Sequence, residues 1–342
     1  MNSADEGITI RTMTPMDLEP MRWVVYRAYY EILLDLYGAD TASHYELRSP
    51  DFMAMYLRRD PEGNFVAESD TGTIAGGLFC FVWGEVGWFG SLAVAPEWQG
   101  HKIGQRLTQR AIDYLRDRGC TRIGLETWPE APLTRHLYTK LGFRPGRMTV
   151  KLSRAAAARP PQPGWSRWEV QWVRVGDVAG LRTALEAVEQ ITQAVWLAGE
   201  GIDPRLDYRK EVRVSVASGW AELVVLYDGR GLPIAFALCY VKKPSGKPVH
   251  ALDVRLLLVS PPTRDSRDDS PLVAMLAAFD RRALQLGCQA VTCDVHASNE
   301  RADALLRELR FRPIYELIRM ELPIPGRAPE RNDLIHCARW AG

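Results

Sequence analysis

Apolar positions along the chain switch between a period of two and a period near four, and one stretch shows both in succession. Leu92 and Val94 alternate with small residues as a strand does, Pro96 stops that strand, and Ile103, Leu107, Ala111 and Leu115 recur on one helix face. A strand, a glycine-containing turn and a helix N-terminus therefore follow one another between Val94 and Leu107. Upstream, the pattern predicts a strand from Ile8 to Arg11 and a helix from Asp17 to Tyr37. On that helix Trp23, Tyr26, Tyr30, Leu33, Leu34 and Tyr37 share a face, which predicts that most of them are core. Strands follow at Asn64–Glu68, Ile74–Trp83 and Val86–Val94, and another at Arg122–Thr127 after a left-handed cap at Gly119. A Pro-containing loop, 128–132, leads to a short helix with Leu133, Leu137 and Leu141 on one face. Gly142 ends it, and Phe143-Arg144-Pro145 opens the closing strands.

After an Ala/Pro-rich linker around 155–163 the pattern starts again. Strands are predicted at Trp168–Val173, Ala221–Tyr227, Ile234–Lys242 and His250–Val259, with a helix from Gly180 to Gly199. The repeat is visible residue by residue. Arg118-Gly119-Cys120 is answered by Leu286-Gly287-Cys288, and the same offset of 168 carries Phe143-Arg144-Pro145 onto Phe311-Arg312-Pro313. Val94-Ala95-Pro96 maps onto Val259-Ser260-Pro261 with an offset of 165. Two copies of one domain are expected: 1–153, a linker 154–167, 168–324, and a tail 325–342.

Composition narrows the function classes. With 43 basic and 42 acidic residues in 342, no global charge points to nucleic acid or an anionic membrane. No apolar run is long enough to span a bilayer, and the acidic start Met1–Glu6 lacks a signal-peptide pattern, so a cytoplasmic protein is expected. Six cysteines without a CxxC pair predict free thiols and neither zinc nor a disulfide framework.

The first turn of a helix has unpaired N–H groups and a positive dipole end, so the start of the helix at Ile103 could hold a phosphate by main chain alone. The loop Gln99-Gly100-His101-Lys102-Ile103-Gly104 resembles the pyrophosphate loop of the GNAT acyltransferases, Gln/Arg-x-x-Gly-x-Gly/Ala after a strand ending Val-x-Pro. Lys102 stands where the family has its first glycine, so its side chain must turn outward, where it adds positive charge. Leu137-Tyr138-Thr139-Lys140-Leu141-Gly142-Phe143 likewise resembles the family's Leu-Tyr-x-Lys-x-Gly-Phe signature.

The resemblance implies an α/β (α+β) chain of two tandem GNAT folds, each a mixed, mostly antiparallel twisted sheet flanked by helices. It implies acetyl-CoA as co-substrate and no metal, with Leu92, Ala93, Val94, Gln99, Gly100, His101, Lys102, Ile103, Gly104, Gln105 and Tyr138 as donor-binding residues. Main-chain N–H groups near Leu92 to Val94 would polarise the thioester carbonyl, and Tyr138 would give a proton to the departing thiolate. Family members that use a strand carboxylate as base carry it six residues before the valine of Val-x-Pro. That position is Trp88 in the first copy and Asp253 in the second, which leaves Glu85, Glu126 and His136 as candidate bases. The acceptor, a primary amine on a small molecule or peptide, would bind among residues 40–60, the meander turns and the 128–132 loop. Monomer and homodimer are both open.

The copies differ where a donor would sit. The second loop, Pro262 to Pro271, has no glycine and three aspartates, Leu306 replaces Tyr138, and Arg310 replaces Gly142. Asn299, Ala302 and Leu305 nevertheless keep the family's Asn-x-x-Ala-x-x-Leu pattern. The first copy is therefore expected to bind the donor. Two alternatives stand beside it: an acyl-CoA-binding sensor or scaffold without turnover, and an active second copy, as in a mycothiol-synthase-like tandem organisation.

Overall fold

The structure, a computed structural model, describes residues 7–158, 167–197, 206–260, 270–297, 299–323 and 336–338. The first copy runs β1 (Ile8–Thr12), α1 (Leu18–Ser43), α2 (Pro50–Arg59), β2 (Asn64–Ser69), β3 (Ile74–Trp83), β4 (Val86–Val94), α3 (Ile103–Asp117), β5 (Arg122–Thr127), α4 (Pro132–Lys140) and β6 (Arg144–Ala155). The second repeats it as β7 (Trp168–Val173), α5 (Val178–Leu197), α6 (Arg209–Ala217), β8 (Ala221–Asp228), β9 (Pro233–Lys242), β10 (Pro248–Val259), α7 (Ser270–Gln285), β11 (Ala290–His296), α8 (Glu300–Glu308) and β12 (Arg312–Glu321). A last short strand, β13 (His336–Ala338), follows. The expected helix end at Gly199, the core of the linker and most of the tail lie outside the described residues.

The two copies share one sheet, ordered β1-β2-β3-β4-β5-β12-β6-β11-β10-β9-β8-β7. Its pairings read the same from either end. Only β4 with β5 and β10 with β11 are parallel, and every other neighbouring pair is antiparallel. At the centre the copies exchange their last strands, so β12 lies against β5 while β6 lies against β11. The registers match through the repeat: Arg319 opposes Glu126 in one pairing, and Lys151 opposes Asp294 in the other.

Three apolar clusters hold this sheet. One packs α3 and α4 on the first copy, one packs α7 and α8 on the second, and the third joins α1 and α2 to α5 and α6. The joint cluster makes a single body of the two copies. It also corrects the expected core face of α1. The helix buries Leu18, Met21, Val24, Val25 and Ala28, whereas Trp23 is 50% exposed and Tyr37 is 43% exposed. Periodicity located an aromatic stripe, but only one stripe can face the sheet, and the aliphatic one does. A kink at Gly38, whose φ is +82°, ends the straight part of α1 one residue after Tyr37.

Candidate active site

The turn after β4 is built so that its main chain stays open. Pro96–Trp98 form a single 3-10 turn, and Gln99 Nε2 donates back to the Val94 carbonyl at 3.2 Å. Gly100 then takes φ +81° and Lys102 takes φ +56°, before α3 begins at Ile103. The left-handed backbone at Lys102 explains why a glycine suits this place: a side chain there costs about 1 kcal/mol. Arg106 N–H is the first in the helix to find a main-chain partner, the Lys102 carbonyl at 3.0 Å. Among the described residues, the N–H groups of Gly100, His101, Ile103, Gly104 and Gln105 have no acceptor. Five donors on either side of Lys102 at the positive end of a helix fit an anion the size of a diphosphate.

Gly104 forms the floor. A Cβ added there would lie 3.4 Å from Leu137 Cδ2, 3.8 Å from Val94 and 4.0 Å from Leu92. The glycine thus keeps clear the crevice between α3 and β4. Lys102, Gln105, Arg106 and Gln109 line an open depression of about 450 Å³ beside it. The His101 ring turns back on Trp98, with Nδ1 at 3.3 Å from its carbonyl.

Beside this loop the sheet parts. β4 pairs with β5 only from Val86 to Trp88, so from Phe89 onward β4 has no neighbour on that side among the described residues. A bulge against β3 centres on Ser91, whose φ is +54°. Leu92, Ala93 and Val94 therefore present a strand edge directly above the helix start. Tyr138 of α4 closes the other flank, 5% exposed, with its ring edge-on to Phe89 at 6.1 Å and Phe143 at 5.9 Å. Burial pushes its phenol well above the usual tyrosine range, so it stays protonated at neutral pH. Tyr29 of α1 approaches the same place, its phenol pushed up to about 12, mainly by burial. It stands edge-on to Trp128 at 5.4 Å and stacks on Tyr45 at 6.0 Å.

The three carboxylate and imidazole candidates do not join Tyr138. Glu85 sits in the β3–β4 turn, exposed, with its carbonyl accepting from Thr121 N–H at 2.8 Å. It is at the far end of β4, roughly 20 Å from Leu92 at the rise of an extended strand. His136 is exposed on α4. The Glu126 side chain is fully buried and tied, 3.2 Å from Arg319 Nη2 with the Thr149 hydroxyl donating to it. Trp88, at the family's base position, is a plate across Gly124 under the Arg319 guanidinium, whose carbon is 5.2 Å from the ring centre. The site thus holds a buried acid group and an aromatic plate where a base was sought.

The second copy mirrors this arrangement with a different outcome. Lys151, delivered by the exchanged β6, stands at 2.6 Å from Asp253 and 3.0 Å from Asp294. Arg255 Nε and Thr292 Oγ1 also donate to Asp253, at 3.1 and 2.9 Å, so both its oxygens are engaged. Leu306 is core, and Asn299 serves as a cap, accepting from Ala302 N–H at 3.2 Å. Arg310 takes φ +69°, the conformation Gly142 has in the first copy at +91°. The loop 261–269, read from sequence as unfit for a diphosphate, lies outside the described residues. β13 pairs with Leu256, Leu257 and Leu258 of β10, which correspond by the 165-residue offset to Ser91, Leu92 and Ala93. The strand edge left open in the first copy is covered in the second.

Arg319, Lys151 and Ser91 were not singled out from sequence. The 168-residue offset relates Lys151 to Arg319 and Glu126 to Asp294, but nothing local shows that each cation crosses to the other copy's acid. Because the pair at Glu126 is buried, Arg319→Met should lower stability by about 3–5 kcal/mol. Thermal unfolding of that variant, with Glu126→Gln added to recover most of the loss, checks the assignment. A loss under about 1 kcal/mol would show that Arg319 does not hold Glu126.

Comparison with known proteins agrees with the geometry. The sequence profile of the Acetyltransferase (GNAT) family matches residues 26–143. A mycothiol acetyltransferase of Stackebrandtia nassauensis is 31% identical over 150 residues, 40% of this chain and 44% of that protein. One from Thermobifida fusca is 37% identical over 98 residues, 25% and 29% of the two chains. The chain thus matches less than half the length of these curated relatives. Among solved structures, a putative acetyltransferase from Pyrococcus horikoshii superposes with a TM-score of 0.62 at 19% identity, over 98% of this chain and 95% of that one. A tandem GNAT protein from the clavulanic acid biosynthesis pathway gives 0.57 at 15% identity, over 94% and 100%. Residues 26–143 carry the sequence pattern of the Acetyltransferase (GNAT) family, and the chain as a whole has the fold of a tandem GNAT protein.

Proposed function

We propose that this chain is an acetyl-CoA-dependent N-acetyltransferase with one donor site, in its first copy, acting on a primary amine by direct attack. The observation that carries this reading is the run of five N–H groups without acceptors at the start of α3, directly below an uncovered β4 edge. The N–H groups suit the diphosphate of the donor, and the edge suits its amide-bearing arm, laid alongside Leu92 to Val94 as an extra strand. On the matching edge of the second copy β13 already occupies that place, and Asp253 is saturated by Lys151, Arg255 and Thr292. Both features support the first copy as the working one.

The roles of this chain's groups follow. A main-chain N–H on the β4 edge beyond the bulge would donate to the acetyl carbonyl oxygen as charge develops there. Tyr138, held protonated by burial, would give its proton to the departing thiolate. With Trp88 in place of a carboxylate, the neutral acceptor amine would be favoured by an aromatic, poorly hydrated wall made of Tyr29, Tyr45 and Trp128. The test is Tyr138→Phe. Turnover, read as free thiol released over a panel of amines, should fall about 10²- to 10³-fold. Acetyl-CoA affinity should stay within about twofold, since the phenyl ring keeps its packing on Phe89 and Phe143. Unchanged turnover removes Tyr138 from the reaction. A wild-type chain that binds acetyl-CoA but releases no thiol with any amine is a sensor or scaffold, and the enzymatic reading fails.

A further inference from the structure

Among the described residues, five basic side chains that are less than a tenth exposed have a carboxylate partner: Arg59 with Glu211, Arg122 with Glu321, Lys151 with Asp253 and Asp294, Arg154 with Asp280, and Arg319 with Glu126. Arg48 is 8% exposed and makes no ion pair among the described residues. Its Nη1 donates to Ser91 Oγ at 2.7 Å, and its guanidinium lies over the Tyr29 ring at 5.8 Å. Both contacts are to neutral groups. A buried cation with no counter-charge costs several kcal/mol, and nothing in its own copy offsets that.

The surroundings sharpen the deficit. The loop that carries Arg48 is pinned by both copies: Ser49 N–H donates to the Pro244 carbonyl at 2.8 Å, and Lys247 Nζ is 3.0 Å from Glu46. The Arg48 carbonyl itself accepts from Arg22 Nε at 2.6 Å, so the backbone that carries the guanidinium is held. A second guanidinium in the same electrostatic neighbourhood, Arg255, is committed to Asp253 at 3.1 Å and adds repulsion instead of relief. The Tyr45 and Tyr56 hydroxyls, both electrostatic neighbours of Arg48, are buried without a hydrogen-bond partner. Two orphan hydroxyls are therefore gathered around the one uncompensated positive charge of Arg48. That place adjoins the β4 bulge, because Ser91, which holds Arg48, immediately precedes Leu92 of the open edge.

We propose that Arg48 is the specificity residue of the acceptor site and receives a carboxylate of the acceptor, with the Tyr56 hydroxyl as a second donor. The inference rests on the acetyl-transfer reading for the identity of the neighbouring group. Because the anion and the acetyl carbon would sit on adjacent residues of β4, amine and carboxylate must be a few bonds apart, as in an amino acid. A planar fork matches a carboxylate's two oxygens. A doubly charged phosphate would need a second free cation, and Arg255 is already taken.

The experiment compares the standard amino acids with their carboxamides, and with O-phosphoethanolamine, by thiol release from acetyl-CoA and by the shift of the melting temperature. Wild type should show a kcat/KM at least about 10-fold higher for the best amino acid than for its amide, and a larger melting shift. Arg48→Met should abolish that preference with acetyl-CoA affinity unchanged, while Arg48→Lys should keep part of it. The lysine variant serves as the folded comparison if the methionine variant misfolds. Equal use of acids and amides, a preference that survives Arg48→Met, stronger use of the phosphate compound, or no response to any amino acid would each overturn the proposal. An Arg48-dependent melting shift by amino acids without thiol release would uphold it and refute the acetyl-transfer reading instead.

Discussion

Residues 1–158 produced without residues 167–342 should fail to fold, and the two segments produced together should regain a soluble complex that binds acetyl-CoA. The exchange of strands requires it. β6 pairs with β11 over seven positions, from Ala155 opposite Ala290 to Thr149 opposite His296, and with β12 on its other side. Both partners come from the second copy. Alone, the first copy would expose the outer edge of β5 and both edges of β6, each a template for aggregation. It would also strand Glu126 without Arg319, Arg122 without Glu321 and Lys151 without its two aspartates. The joint cluster of α1, α2, α5 and α6 would lose half its buried residues, with Phe52 no longer edge-on to Trp220 at 5.0 Å. Solubility, circular dichroism and gel filtration of each segment, alone and together, read the result. A first segment that is monomeric and unfolds cooperatively would contradict the exchange.

The reach of the sequence follows from what each feature depends on. The strand, turn and helix from Val94 to Leu107 rest on neighbours in the chain: Pro96 ends the strand, Gly100 turns it, and the every-fourth-residue stripe buries Ile103, Leu107, Ala111 and Leu115. Even the misfit at Lys102 was legible, and its φ of +56° gives the reason. The aromatic face of α1 was misjudged because that helix carries two apolar stripes, and the choice between them belongs to the sheet. Glu126 was correctly placed on a strand, yet its neighbour there, Arg319, is 193 residues away. Arg48 falls within the 40–60 segment expected to border the acceptor, yet nothing marked that residue, since a lone arginine in a loop is ordinary until its burial and its missing partner are seen.

Gly104→Glu should abolish donor binding. Residue 104 is the second of α3, and its missing Cβ faces Leu137, Val94 and Leu92. A glutamate there would fill the crevice and set a carboxylate among the N–H groups meant for a diphosphate. Two like charges about 4 Å apart repel by about 4 kcal/mol at the effective dielectric of a protein surface, which alone is on the order of a thousandfold in affinity. The fold should survive, because the position lies at a helix start with side-chain carbons as its nearest neighbours. Gly104→Ala, 3.4 Å from a movable Leu137 methyl, should bind only weakly less than wild type.

Calorimetric titration of the intact chain with acetyl-CoA tests the central claim most directly. One equivalent bound per chain, lost in Gly104→Glu, is the predicted result. Two equivalents, or one that persists in Gly104→Glu, would contradict it by placing a donor on the edge of β10 that β13 covers.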